Sequence, residues 1–101
     1  GVNLHNANLD EADLHYANLS WADLSKANLH GANLQGVDLT GADLTGAILE
    51  QVQLTDARLK QTDLRGIPWL QVMALTMQPG VIWHEVRYDL PPESGLSPES
   101  A

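Results

Sequence analysis

The chain has 101 residues, enough for one domain whose core must be used economically. It is 44% hydrophobic but holds no Phe and only 5% aromatic residues, so its core has to come from small and medium aliphatic side chains. A net charge of −8 argues against nucleic acid or an anionic membrane as a simple electrostatic partner, and the lack of Cys excludes disulfides, thiolate metal sites and cysteine nucleophiles.

The sequence opens Gly1-Val2-Asn3, without Met, so further sequence upstream is expected. No signal peptide is visible, and no apolar run approaches the ~20 residues of a membrane helix. A soluble chain is expected, with the cytoplasm favoured and the compartment left open.

From there Leu returns every five residues: Leu4, Leu9, Leu14, Leu19, Leu24, Leu29, Leu34, Leu39, Leu44, Leu49, Leu54, Leu59 and Leu64. Two positions before each sits Ala or Val, except at Thr62. The residue just before each Leu is Asn or Asp, except at Ile48, Gln53 and Arg58. A period of five suits neither regular element. On an α-helix successive leucines would step about 140° around the axis, and on a straight strand they would alternate faces. The chain must therefore turn once per repeat and aim every Leu inward, giving a coil with an apolar interior. Gly31, Gly36, Gly41, Gly46 and Gly66 fall at one phase, two after Leu, where a turn needs them. The Asn and Asp side chains are expected to bond turn amides.

Runs such as Ala22-Asp23-Leu24-Ser25-Lys26 and Ala42-Asp43-Leu44-Thr45-Gly46 resemble the pentapeptide-repeat family, over residues 2–66. The resemblance implies an all-β fold: a right-handed, four-sided β-helix with one pentapeptide per side and twenty residues per coil. Period alone would also allow three sides. Residues 1–66 then form about three coils. The resemblance also implies a bacterial, non-enzymatic protein.

Residues 67–90 are expected to cap the far end, as solenoids require. Ile67 continues the inward register, and Trp69 occupies the next leucine slot as a plug. Trp69, Val72, Met73, Thr76 and Met77 follow helical spacing between Pro68 and Gln78-Pro79-Gly80, which predicts a short α-helical cap over about 68–77. Ile67, Trp69, Val72 and Met73 are the expected cap residues. Residues 81–90 alternate, with Ile82, His84, Val86, Tyr88 and Leu90 in one phase, and read as a strand with one packed face. Residues 91–101 have the composition of a Pro- and Ser-rich tail or linker.

No catalytic constellation, cofactor loop or metal-ligand cluster is apparent. Under four sides His5, His15 and His30 lie on different faces, and Ser20 and Ser25 lack a neighbouring His in register. The surface offers three features. Asp23, Asp43 and Asp63 stack in one column over Asn3. Asp10, His30 and Glu50 stack in another. Tyr16 and Trp21 stand outward at the turn phase, below Gly36 and Gly41. Tyr16, Trp21, Asp23, Asp43 and Asp63 are the candidate partner surface. The expected function is a non-enzymatic scaffold or protein-interaction module, part of a larger protein or a homodimer through an uncapped coil end, with no small-molecule substrate. The alternative carried by the resemblance is a DNA-mimicking inhibitor or protector of a type II topoisomerase. Residues 2–66 hold nine acids against four bases, a modest net of −5 for such a mimic.

Overall fold

The computed structural model describes residues 1–90. The expected tail at 91–101 lies outside the described residues. Every parallel bridge from Asn3 to Asp63 joins residues twenty apart, as in Asn3↔Asp23, Asn18↔Asp38 and Asp43↔Asp63. Twenty residues per coil and five per turn make four sides. Each side pairs through a single residue, so the described residues contain isolated bridges rather than continuous strands. That is the physical consequence of a corner every five residues.

A count of backbone amides shows why the repeat has five positions. In the repeat ending at Trp21, the Ala17 amide donates to the Leu14 carbonyl at 3.0 Å and closes a turn. Leu19 and Trp21 donate to Asp38 and Thr40 of the next coil, both at 2.8 Å. The residue before Leu donates downward, as Asp38 does to Ala17 at 3.0 Å. One amide per repeat is left over, that of the residue after Leu. It donates to Oδ1 of the preceding Asn or Asp, for example Ser20 to Asn18 at 3.0 Å and Thr40 to Asp38 at 3.0 Å. The Asn or Asp is thus the group that keeps a backbone donor from being orphaned.

The position two after Leu has positive φ in every repeat, near 60° at Asn6, Tyr16, Trp21 and Gln61 and 67° at Gly36. Such a value at the third residue of a four-residue turn is what a type II turn requires, and Gly meets it without strain. From Leu19 to Leu64 the leucines are buried, together with Ala22, Ala27, Ala32, Val37, Ala42, Ala47, Val52 and Ala57. Leu4, Leu9 and Leu14 in the first coil are half-buried. Thr62 is buried because its hydroxyl donates to the Leu39 carbonyl at 2.8 Å.

After Ile67 the coil is interrupted by α1, Trp69–Thr76. The Pro68 carbonyl receives the first amides of the helix, from Gln71 at 2.9 Å and Val72 at 3.0 Å. Ile67, Val72 and Leu75 join the core cluster. Trp69 is not the buried plug that its place in the repeat suggested. Pro68 starts the helix, the chain leaves the repeat register, and the half-buried indole stacks on Tyr88 with centroids 5.9 Å apart. Met73 is exposed as well, on the outer side of the helix.

Residues 81–90 are not the alternating strand that the sequence suggested. Ile82 bridges to Arg58 and Arg87 to Asp63, in both cases twenty-four residues apart. The five-residue period therefore resumes, displaced by four. Val81 and Val86 take the Ala slots and Trp83 and Tyr88 the Leu slots, while Glu85 with φ 59° takes the turn slot. Ile82 and His84 consequently face outward, whereas Val81, Val86 and Tyr88 pack on the core. No helix among the described residues is long and apolar enough to cross a membrane.

Candidate functional site

The stacked coils bring Asp23, Asp43 and Asp63 into one column, one per layer, with Asn3 below and Arg87 above. Like charges at a spacing of ~4.8 Å repel unless each is held by its own partners. They are held. Asp23 Oδ1 accepts from the Ser25 amide at 3.0 Å and the Ser25 hydroxyl at 2.6 Å. Asp43 is bound in the same way by Thr45, at 2.9 and 2.7 Å. Asp63 takes the amide of Arg65 at 3.1 Å and its guanidinium at 2.9 and 2.7 Å. The Ser25 hydroxyl and amide hold the Asp23 carboxyl below the usual carboxylate value, and Arg65 does the same at Asp63. On neighbouring sides the Thr40 hydroxyl lowers Asp38, and the His15 ring lowers Asp13. The acidic stripe is therefore a row of turn ligands first, and two arginines, Arg65 and Arg87, stand at its top.

Trp21 stands at the corner beside this column, 62% exposed, and Tyr16 at the preceding corner is 67% exposed. Each ring lies over the glycine one coil above. A Cβ on Gly36 would collide with the Tyr16 ring, and one on Gly41 with the Trp21 indole. The glycines thus let two large aromatic rings lie flat along the corner. Trp21, Asp43, Gln61, Asp63, Glu85 and Arg87 border an open concavity of about 560 Å³.

The second column forms in part. His30 Nδ1 lies 2.9 Å from Asp10 Oδ1, while Glu50 makes no bond to it. One pairing escaped the sequence reading. Ser25 does have a histidine in register: His5 Nδ1 is 2.7 Å from its Oγ. The pair is not a nucleophile and its base. Ser25 gives its proton to Asp23, so its oxygen can only accept from His5, the reverse of general-base activation. The signal was available, because His5 and Ser25 are twenty residues apart. Among the described residues, no three His, Asp or Glu side chains converge to hold a metal ion.

The profile described as pentapeptide repeats matches residues 1–31 and 32–67, with 8 copies in all. No curated protein matches the sequence. Among solved structures, full-length QnrB1, described as a plasmid-mediated fluoroquinolone resistance protein, is similar with a TM-score of 0.61 and 24% identity. The match covers 86% of this chain and 37% of QnrB1, and at that identity it is a likeness of fold. A pentapeptide repeat protein from Nostoc is 31% identical over 86% of this chain and 80% of its own, with a TM-score of 0.33. One from the Arabidopsis thaliana thylakoid lumen is 24% identical over 98% of this chain and 68% of its own, with a TM-score of 0.32.

Proposed function

This chain belongs to the pentapeptide-repeat family, and from that premise we propose that it is a non-enzymatic scaffold that binds another protein along its sides. The observation that carries the proposal is the pair of exposed rings at adjacent corners, Tyr16 and Trp21, laid over glycines and bordered by the Asp column. Tyr and Trp are enriched where proteins meet, because they offer a large rigid area with a polar handle. The spine behind them is fixed by three inter-coil hydrogen bonds per repeat, so their spacing is preset and little ordering is needed on binding. In the same reading, α1 and the two aromatic repeats after it close the coil end, with Val72 and Leu75 against the last leucines. The family's right-handed, four-sided β-helix supplies the frame.

The second reading is a DNA mimic that acts on a type II topoisomerase. The stacked carboxylates of Asp23, Asp43 and Asp63 favour it. Two things weigh against it: the charge over residues 2–66 is modest, and Arg65 and Arg87 sit at the top of the stripe. The two separate in a gyrase supercoiling assay combined with photocrosslinking from a benzophenone side chain at position 21. A scaffold leaves supercoiling unchanged at molar excess, and position 21 crosslinks to one discrete protein where position 35 does not. Inhibition that disappears when Asp23, Asp43 and Asp63 become Asn would replace the scaffold by the mimic.

A further inference from the structure

Glycine occupies four consecutive corners of the coil, Gly31, Gly36, Gly41 and Gly46, which is one full circuit. The corners of the coil below carry side chains, Trp21 among them, and in the coil above Gln61 stands over Gly41. A circuit bare of side chains between these is a waist around the stack. At Gly41 the waist opens into the concavity of about 560 Å³ that Trp21 and Asp43 border. One face of the Trp21 indole lies against Gly41, and the exposed ring turns its other face to solvent. Asp43 stands one coil above, its amide donating to the Ala22 carbonyl at 2.9 Å. Its Oδ1 accepts both the amide and the hydroxyl of Thr45, while its Oδ2 accepts no hydrogen bond among the described residues. The other carboxylates of the concavity are engaged. Arg65 takes both oxygens of Asp63, and Gln61 Nε2 donates to Glu85 Oε2 at 3.2 Å. We infer that the corner between Trp21 and Asp43 is the seat for an arginine side chain of the partner protein.

Three observations choose arginine. First, an open indole face beside an open carboxylate oxygen asks for one group that answers both. A guanidinium is planar, so it stacks on the ring while its N–H groups, lying in its plane, donate to the carboxylate. An ammonium lacks that plane. Second, the chain carries −8, so a basic segment is drawn towards it, whereas an acidic one is repelled. Arg87, the one cation bordering the concavity, stands two layers above Asp43, roughly 10 Å away. Third, the seat is set in advance. The Trp21 amide is fixed to the Thr40 carbonyl at 2.8 Å and its ring rests on the backbone of Gly41, so little has to be ordered on binding.

The inference rests on the scaffold proposal and deepens it by naming the group that the Trp21 corner receives. The probe is the peptide acetyl-Gly-Arg-Gly-amide, titrated into the full chain while the indole N–H signals of Trp21, Trp69 and Trp83 are followed by NMR. The Trp21 signal should shift and saturate with a Kd on the order of 1 mM, as one stacked ion pair allows, and the other two should stay in place. The same peptide with citrulline, the neutral isostere of arginine, should leave all three unmoved. Asp43→Asn should weaken binding about fivefold or more. That variant keeps its turn, because Asn18 holds the Ser20 amide and hydroxyl as Asp43 holds those of Thr45. Trp21→Gln identifies the Trp21 signal, and Gln already occupies the same positive-φ slot at Gln51 and Gln61. A Trp21 signal that does not move at about 20 mM peptide would overturn the inference. So would an equal shift with the citrulline peptide, or undiminished binding to the Asp43→Asn chain. If position 21 still crosslinks to one discrete protein while the arginine peptide fails, the scaffold reading stands and the arginine seat falls.

Discussion

Leu34→Ala is expected to destabilise the chain by ~2–5 kcal/mol, through lost transfer energy and the cavity left behind. Leu34 is 1% exposed, in the middle of the stack, with leucines of the coils below and above in the same column. The narrow lumen cannot collapse around a missing isobutyl group, because three inter-coil hydrogen bonds per side fix its walls. The adjacent Gln35→Ala removes a side chain that makes no hydrogen bond and should stay within ~0.5 kcal/mol. Urea melts of the two variants check this; equal losses would mean that the inward and outward positions are wrongly assigned.

The second large effect is expected at Gln78. In a regular layer Leu34 donates to the Gln53 carbonyl at 2.8 Å, and the Gln53 amide donates back to Ala32 at 3.1 Å. One coil higher, α1 stands where that next strand-like segment would run. The Gln78 side chain supplies both bonds instead. Its Oε1 accepts from the Leu54 amide at 2.6 Å, and its Nε2 donates to the Val52 carbonyl at 3.0 Å. A carboxamide carries the same donor and acceptor as a peptide unit, so it can stand in for one. Gln78→Ala strands a half-buried amide and a carbonyl, at ~1–3 kcal/mol each, and should cost ~2–6 kcal/mol in total. Gln71→Ala, on α1 itself and without a side-chain bond, is the control. A Gln78→Ala protein as stable as that control would show that water replaces the amide at no cost.

The coil itself was legible in the sequence because leucine never misses its beat, and the Asn and Asp before it are explained by one amide per repeat. The number of sides was not legible. Both three and four corners satisfy a five-residue period, and only the pairing of Asp23 with Asp43 rather than with Asp38 distinguishes them. The two repeats after α1 were hidden by two substitutions at once. Trp83 and Tyr88 replace Leu, and a four-residue insertion shifts the phase, so Ile82, Val86 and Tyr88, all at even positions, passed for one face of an alternating strand although Ile82 faces outward. The helix was legible from Pro68 and the Gln78-Pro79-Gly80 stop. Its facing was not, because a helix apolar on both sides gives no sign of which face is buried. Of the candidate surface, Tyr16 and Trp21 stand over the glycines twenty residues on, while the Asp column turns out to be bound row by row to its own turns.

The four-sided coil is tested most directly by scalar couplings across hydrogen bonds, which connect an amide nitrogen to the carbonyl carbon that accepts its proton. Leu24 should correlate with Asp43 and Leu29 with Ile48, each nineteen residues on, as their donor–acceptor distances of 2.7 and 2.9 Å require. Correlations from Leu24 to Asp38 and from Leu29 to Asp43 would place fifteen residues in a coil and contradict four sides.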